Sequence, residues 1–167
     1  MTTRGIFNRQ YTDFTPAGQQ VWLVNGAGVT TSPASTQSFT AGANLIQGEV
    51  VYVSGVYALP ASAASGVAGE RYNVIGITSE AASSAAAVNV ILDDTAIIGA
   101  ANLTAETELV PGRYYYLSKF DGQLTSYSTA SGVITAASGY AALVNIGQAL
   151  SNTELQVEIE PPVVLYD

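Results

Sequence analysis

A fifteen-residue segment beginning at Ala41, AGANLIQGEVVYVSG, returns 64 residues later as AETELVPGRYYYLSK, so that Leu45, Gly48, Tyr52 and Ser54 fall on Leu109, Gly112, Tyr116 and Ser118. A second block follows each copy. VIGIT around Gly76 matches NIGQA around Gly147 at an offset of 71, and the alternating AVNVIL, Ala87 to Leu92, matches ELQVEI, Glu154 to Ile159, at an offset of 67. A drifting offset places insertions and deletions between the blocks, as in duplicated β-modules, where loops absorb changes of length and strands do not. Two copies fall short of the three or more that a solenoid needs. The expectation is an all-β chain of two related small β-modules, sandwich-like or barrel-like. They either pack side by side or intertwine into one core.

Local pattern supports strands. EVVYVS is rich in β-branched and aromatic residues, Gly55 punctuates it, and VYAL resumes before Pro60, which reads as a hairpin. RYNVIGIT reads as a strand in which Gly76 marks a bulge or a close backbone approach. SEAASSAAA is short and serine-rich, which favours a loop over a helix. In the second copy RYYYLS and QLTSY flank Asp121-Gly122, a strong hairpin signal. In the last strand Leu155, Val157 and Ile159 should face one side and Gln156, Glu158 and Glu160 the other. The tail VVLYD is an apolar segment that should pair with an edge strand of this chain or of a partner.

Residues 1–40 differ from the rest. Only Gln20 to Val24, QVWLV, reads as a strand there, and a run of small polar residues follows the Asn25-Gly26 turn signal. This part reads as an extended N-terminal arm, with the first β-module at 41–104 and the second, with the C-terminal tail, at 105–167. Phe7, Tyr11, Phe14 and Trp22 are costly to leave in water, so the arm is expected to dock, on its own body or on a neighbouring subunit. Its charge differs too: residues 1–40 carry Arg4, Arg9 and Asp13, a net of +1, against −9 for residues 41–167. The arm therefore suits an acidic protein surface, and the body repels nucleic acid.

Composition narrows the chemistry. The absence of His and Cys removes disulfides, the usual zinc sites, thiol nucleophiles and the Ser-His-Asp arrangement. Asp93-Asp94 lacks the spacing of a calcium loop and reads as a turn. Glu106, Glu108, Glu154, Glu158 and Glu160 read mostly as a solvent-facing row rather than a glycosidase pair. The glycines of GVAGE and NGAGV lack the context of a phosphate or dinucleotide loop. Tyr114 and Tyr116 share a face opposite Tyr115, so the tyrosine cluster is not expected to form one sugar platform and reads as core and interface packing. No catalytic, cofactor or metal site is expected, and no enzyme. The apolar runs are too short to span a membrane, and MTTRGIFNRQYTDF lacks the apolar core of a signal peptide, so synthesis in the cytoplasm is expected. Only 11% of residues are charged, against about 25% for an ordinary domain, so other chains are expected to cover much of the surface.

The second module resembles a small β-module of tailed-bacteriophage virion proteins, whose pattern runs G-x-x-Y-Y-L-S, a turn, G-x-[LI]-T, then V-G-x-A-[LI]-S and a final alternating strand. Gly112, Tyr115, Tyr116, Leu117, Ser118, Gly122, Leu124, Thr125, Gly147, Ala149, Leu150 and Ser151 carry the likeness. The first module, GEVVYVSGVYALPAS with VIGIT, is similar to small capsid decoration proteins in a looser form, and the whole covers roughly residues 41–160. The resemblance implies a structural virion component. It points to a decoration (cement) protein on the outer surface of the head, often a homotrimer, with the major capsid protein as partner and no cofactor. The alternative is a head-fibre or tail-fibre segment that recognises a host-surface glycan. On the decoration-protein reading Arg4, Phe7, Arg9, Tyr11, Phe14 and Trp22 are the expected capsid or intersubunit contact residues.

Overall fold

The structure, a computed structural model, describes residues 35–129 and 132–165. The chain is all-β. Five strands form the first module: β1 (Ser35–Ala41), β2 (Val50–Ser54), β3 (Tyr57–Pro60), β4 (Val74–Thr78) and β5 (Ala87–Asp93). They close a barrel in the order β1-β3-β2-β4-β5. The second module holds β6 (Thr95–Ile97), β7 (Tyr114–Leu117), β8 (Leu124–Ser126), β9 (Ser128–Thr129), β10 (Gly132–Val133), β11 (Ala142–Leu143), β12 (Asn145–Ala149), β13 (Glu154–Val157) and β14 (Val163–Val164). Its main sheet runs β6-β13-β12-β7-β8.

Read from the hairpin outward, the two orders are the same. β3-β2-β4-β5-β1 in the first module becomes β8-β7-β12-β13-β6 in the second, so the duplication extends to topology. The matching reaches single hydrogen bonds. Leu45 N–H donates to Ala82 O and Leu109 N–H to Asn152 O, while Gly48 N–H donates to Thr78 O and Gly112 N–H to Ala149 O. Val51 lies opposite Gly76, and Tyr115 opposite Gly147, each next to a register shift. The bulge expected at Gly76 is therefore present in both copies. A Cβ at Gly76 would fall on the Ile91 carbonyl oxygen and one at Gly147 on that of Gln156, so each glycine admits the backbone of the adjacent strand.

The pairing also corrects the sequence alignment of the last block. Thr78 pairs with Val90 and Ala149 with Leu155, which sets β5 and β13 65 residues apart rather than 67. A slip of two leaves the inward face unchanged, because side chains alternate with a period of two. The sequence therefore favours the offset of 67, which matches Val88, Val90 and Leu92 to Leu155, Val157 and Ile159, and does not betray the slip.

The first strand of each module changes the assigned boundaries. Ser35–Ala41, read as the end of the arm, is β1 of the barrel, paired along most of its length with β5. Its first four residues are polar and exposed and are held by backbone bonds to β5, and only Phe39 and Ala41 at its end pack on the barrel core. Thr95–Ile97, read as the end of the first module, pairs with β13 and is the counterpart of β1. β1 closes its barrel by parallel pairing with β3 at Thr40–Tyr57 and Ala41–Ala58. In the second module only a parallel bridge from Leu103 to Leu124 marks the same closure.

The modules share a core. Ala41, Leu45, Val51, Ala58, Val88 and Val90 fill the barrel. Side chains of the opposite phase, Val50, Tyr52, Ile77 and Ile91, join Tyr115, Leu117, Ile146, Leu155 and Val157 of the second module in one larger cluster. Backbone bonds stitch the seam as well: Val50 N–H to Gly122 O at 2.9 Å, Gly122 N–H to Ala61 O at 2.7 Å, and Ala63 N–H to Ser118 O at 2.9 Å. Of the two arrangements open from the sequence, the modules lie side by side and are fused through one core. The apolar tail pairs within the chain, since β14 runs antiparallel to β11.

Candidate adhesion surface

The proposed contact residues Arg4, Phe7, Arg9, Tyr11, Phe14 and Trp22, and the strand expected at 20–24, lie outside the described residues. The described body exposes large apolar side chains at particular places. Ile46, Val56, Tyr57, Ile97, Val110, Tyr114, Phe120, Tyr127, Leu150, Val163 and Val164 are all exposed. Two groups of them are built by the hairpins.

The first group lies at the base of the β7–β8 hairpin. Alternation along β7 turns Tyr115 into the core and Tyr114 outward, and the register Tyr115–Ser126 sets Tyr127 beside Tyr114 at the end of β8. Tyr116, on the same face as Tyr114, meets Tyr127 edge to face, with ring centroids 6.0 Å apart at 61°. Tyr114 is 46% and Tyr127 48% exposed. Against the expectation of no single platform from the tyrosine run, the strand register brings Tyr127 to the side of Tyr114 and Tyr116, which no local signal in the sequence shows. Asn145, paired with Tyr116, is buried with its Oδ1 unpartnered while its Nδ2 donates to Glu160 Oε2 at 2.8 Å. The Gln148 side chain lies across from Tyr114 and donates to Gly112 O.

The second group lies at the tip of the β2–β3 hairpin. Ser54 pairs with Tyr57 across a two-residue turn, which leaves Val56 65% and Tyr57 49% exposed. Gly55 supplies the positive φ of +64° that so tight a connection requires.

A polar clamp surrounds Tyr115 on the side of β7 opposite the tyrosine face. The Tyr115 hydroxyl donates to Glu106 Oε1 at 3.1 Å and accepts from Val110 N–H at 3.0 Å, while Ser126 donates to Glu106 Oε2 at 2.7 Å. Arg113 approaches Glu106 Oε1 at 3.3 Å. Burial pushes the Tyr115 hydroxyl above its ordinary value, the Val110 N–H opposes this, and the Glu106 charge adds to it. Glu106 therefore departs from the solvent-facing row expected of the glutamates, whereas Glu154, Glu158 and Glu160 are exposed as that row requires. The Asp94 carboxylate accepts from Thr95 N–H at 2.6 Å, which is turn chemistry. Among the described residues no group of acidic side chains is placed to hold a metal ion, and no helix is long and apolar enough to cross a membrane.

No protein-family model matches the chain, and none of the curated proteins matches it.

Proposed function

We infer that this protein is a decoration, or cement, protein of a tailed-bacteriophage head. On this reading it is a homotrimer that binds the major capsid protein on the outer surface and stabilises the assembled shell. The observation that carries the reading is the combination of a two-module body fused through one core with exposed tyrosine and valine side chains, in a chain holding few charges. Large exposed apolar groups of this kind mark sites of association rather than isolated surface residues. The likeness to virion modules supports it from the sequence side: Gly112, Tyr115, Leu117, Gly122 and Gly147 of the shared pattern build the bulged hairpin of the second module.

The arm supplies the capsid contacts. Phe7, Tyr11, Phe14 and Trp22 act as anchors, each contributing on the order of 1.5–3 kcal/mol on burial. Arg4 and Arg9 meet acidic capsid residues, and repetition over a symmetric shell multiplies modest contacts. The test is deletion of residues 1–24, with capsid occupancy measured by sedimentation. Loss of occupancy with the body still folded is expected, and unchanged occupancy would refute the assignment.

A second reading, a head-fibre or tail-fibre segment that binds a host-surface glycan, is favoured by one observation. Tyr114, Tyr116 and Tyr127 share a face on which Tyr114 and Tyr127 are half exposed, and such aromatic rings suit a neutral sugar. Retention on a glycan array without affinity for capsids would select it.

A further inference from the structure

The seam between the modules is head-to-tail, and both of its halves recur on the outside of the same chain, uncovered among the described residues. In the seam the base of the β2–β3 hairpin receives the tip of the β7–β8 hairpin: Gly122 at the tip bonds to Val50 N–H and Ala61 O at the base. The Arg71 guanidinium meets Asp121 at the same tip, at 2.7 Å. Gly48, beside the base, is packed so closely that a Cβ there would reach Ile97 O at 2.6 Å and Asn102 Oδ1 at 2.8 Å.

The duplication gives each half a counterpart. Strand pairing sets Tyr52–Leu59 on Tyr116–Thr125, so Val50 and Ala61 correspond to Tyr114 and Tyr127, and Gly48 to Gly112. In the first module these base positions are buried under the second module. In the second they are the exposed tyrosines, and Gly112 has nothing within 4 Å of a Cβ. The Lys119–Gly122 tip corresponds in turn to Gly55–Val56, which is two residues shorter and fully outside, with Tyr57 beside it. An interface of this kind, with different surfaces on its two sides, leaves one of each surface free at the ends of the pair and continues until a ring closes or a filament forms.

We propose that copies of this chain associate head to tail, the Gly55–Tyr57 tip of one copy docking on the Tyr114–Tyr127 base of the next in repetition of the internal seam. The occupant of the tyrosine face is therefore a second copy. The apolar match supports this, since Val56 and Tyr57 meet two tyrosines with no like charges opposed. The proposal deepens the homotrimer of the proposed function, because such contacts can close a ring, and it does not depend on capsid binding.

The experiment uses the full chain without capsids. The chain has no cysteine, so Val56→Cys and Tyr127→Cys report only on designed contacts. Mild oxidation of the mixed variants should give a cross-linked pair in at least about tenfold higher yield than either variant alone. In sedimentation velocity the parent chain should associate with rising concentration, and Val56→Asp or Tyr127→Asp should weaken that association about tenfold or more. Both positions are exposed, so an unchanged melting temperature verifies that the variants fold. A parent chain that stays monomeric overturns the proposal, as does Val56→Cys cross-linking to itself as efficiently as the mixture. Binding of a neutral glycan to the monomer, abolished by Tyr127→Asp, would assign the face to a sugar instead. A chain that self-associates but fails to bind heads would refute the capsid reading alone, and a monomer that still decorates heads would refute only the head-to-tail contact.

Discussion

Replacing Gly147 with alanine tests whether the repeated bulge is a structural clamp. The added Cβ would land on the Gln156 carbonyl oxygen, with Gln156 C at 2.9 Å and Glu158 N at 3.2 Å. All three are backbone atoms of or next to β13, which is paired on one side to β12 and on the other to β6, so no side-chain rotation relieves the clash. Overpacking costs about 1–3 kcal/mol where neighbours can adjust, and a backbone held on both sides places this case at about 3 kcal/mol. Gly55→Ala is the control: it has open space around it and meets only the cost of a positive φ, about 1–2 kcal/mol. For a chain of this size each kcal/mol lowers the melting temperature by about 2–4 °C. Thermal unfolding followed by circular dichroism should therefore show a loss of about 6–12 °C for Gly147→Ala and clearly less for Gly55→Ala. Gly76→Ala should behave like Gly147→Ala, since its Cβ would fall on Ile91 O with Val90 Cγ1 at 2.5 Å. If Gly147→Ala melted no lower than Gly55→Ala, the close approach of β12 and β13 would not be what demands glycine, and the equivalence of the two bulges would lose its physical basis.

Three further outcomes follow from the seam and the clamp. Tyr115→Phe removes the hydroxyl that serves both Glu106 and Val110 N–H and should cost about 1–3 kcal/mol in urea unfolding, with the m-value unchanged. Glu49 has a raised pKa, first because it is desolvated and further because Asp121 is near, while the Ile46 N–H opposes the shift. The folded state thus holds that proton to higher pH than the unfolded chain, and stability falls as pH rises from about 4.5 through the folded value. Glu49→Gln keeps an acceptor for Ile46 N–H, so it should flatten this decline and stabilise the protein at neutral pH, which urea unfolding across pH would measure. The Arg71–Asp121 pair is partly solvated, and a double-mutant cycle should give a coupling of about 0.2–1 kcal/mol that shrinks in high salt.

The parts of the fold that were legible in the sequence are those in which burial shapes the residue pattern. Leu45 and Leu109 are buried at equivalent turns, and Gly76 and Gly147 admit a neighbouring backbone, so all four had to recur and the repeat shows. β1 left no such trace, because STQSFTA is held by its ladder with β5 while most of its side chains face water. Thr95–Ile97 leaves no trace for a related reason: three residues are too few to show a period, and their pairing with β13 is not local in the sequence. The glutamates read as one row, yet Glu106 is drawn inward by Tyr115 and Ser126, partners 9 and 20 residues away. Tyr127 joins Tyr114 and Tyr116 only through the β7–β8 register, a relation no local window contains. The surface proposed for self-association was likewise invisible until the seam showed which faces of the first module are covered.

The most direct test of the proposed function is reconstitution. Purified protein is added to phage heads that lack it, and the bound copies are counted after sedimentation and located by electron microscopy. The account predicts saturable binding to the outer surface at a fixed copy number per capsomer, lost on deletion of residues 1–24, with a rise in the temperature at which the heads open. Protein that remains in the supernatant at every concentration while the heads open at an unchanged temperature would contradict it.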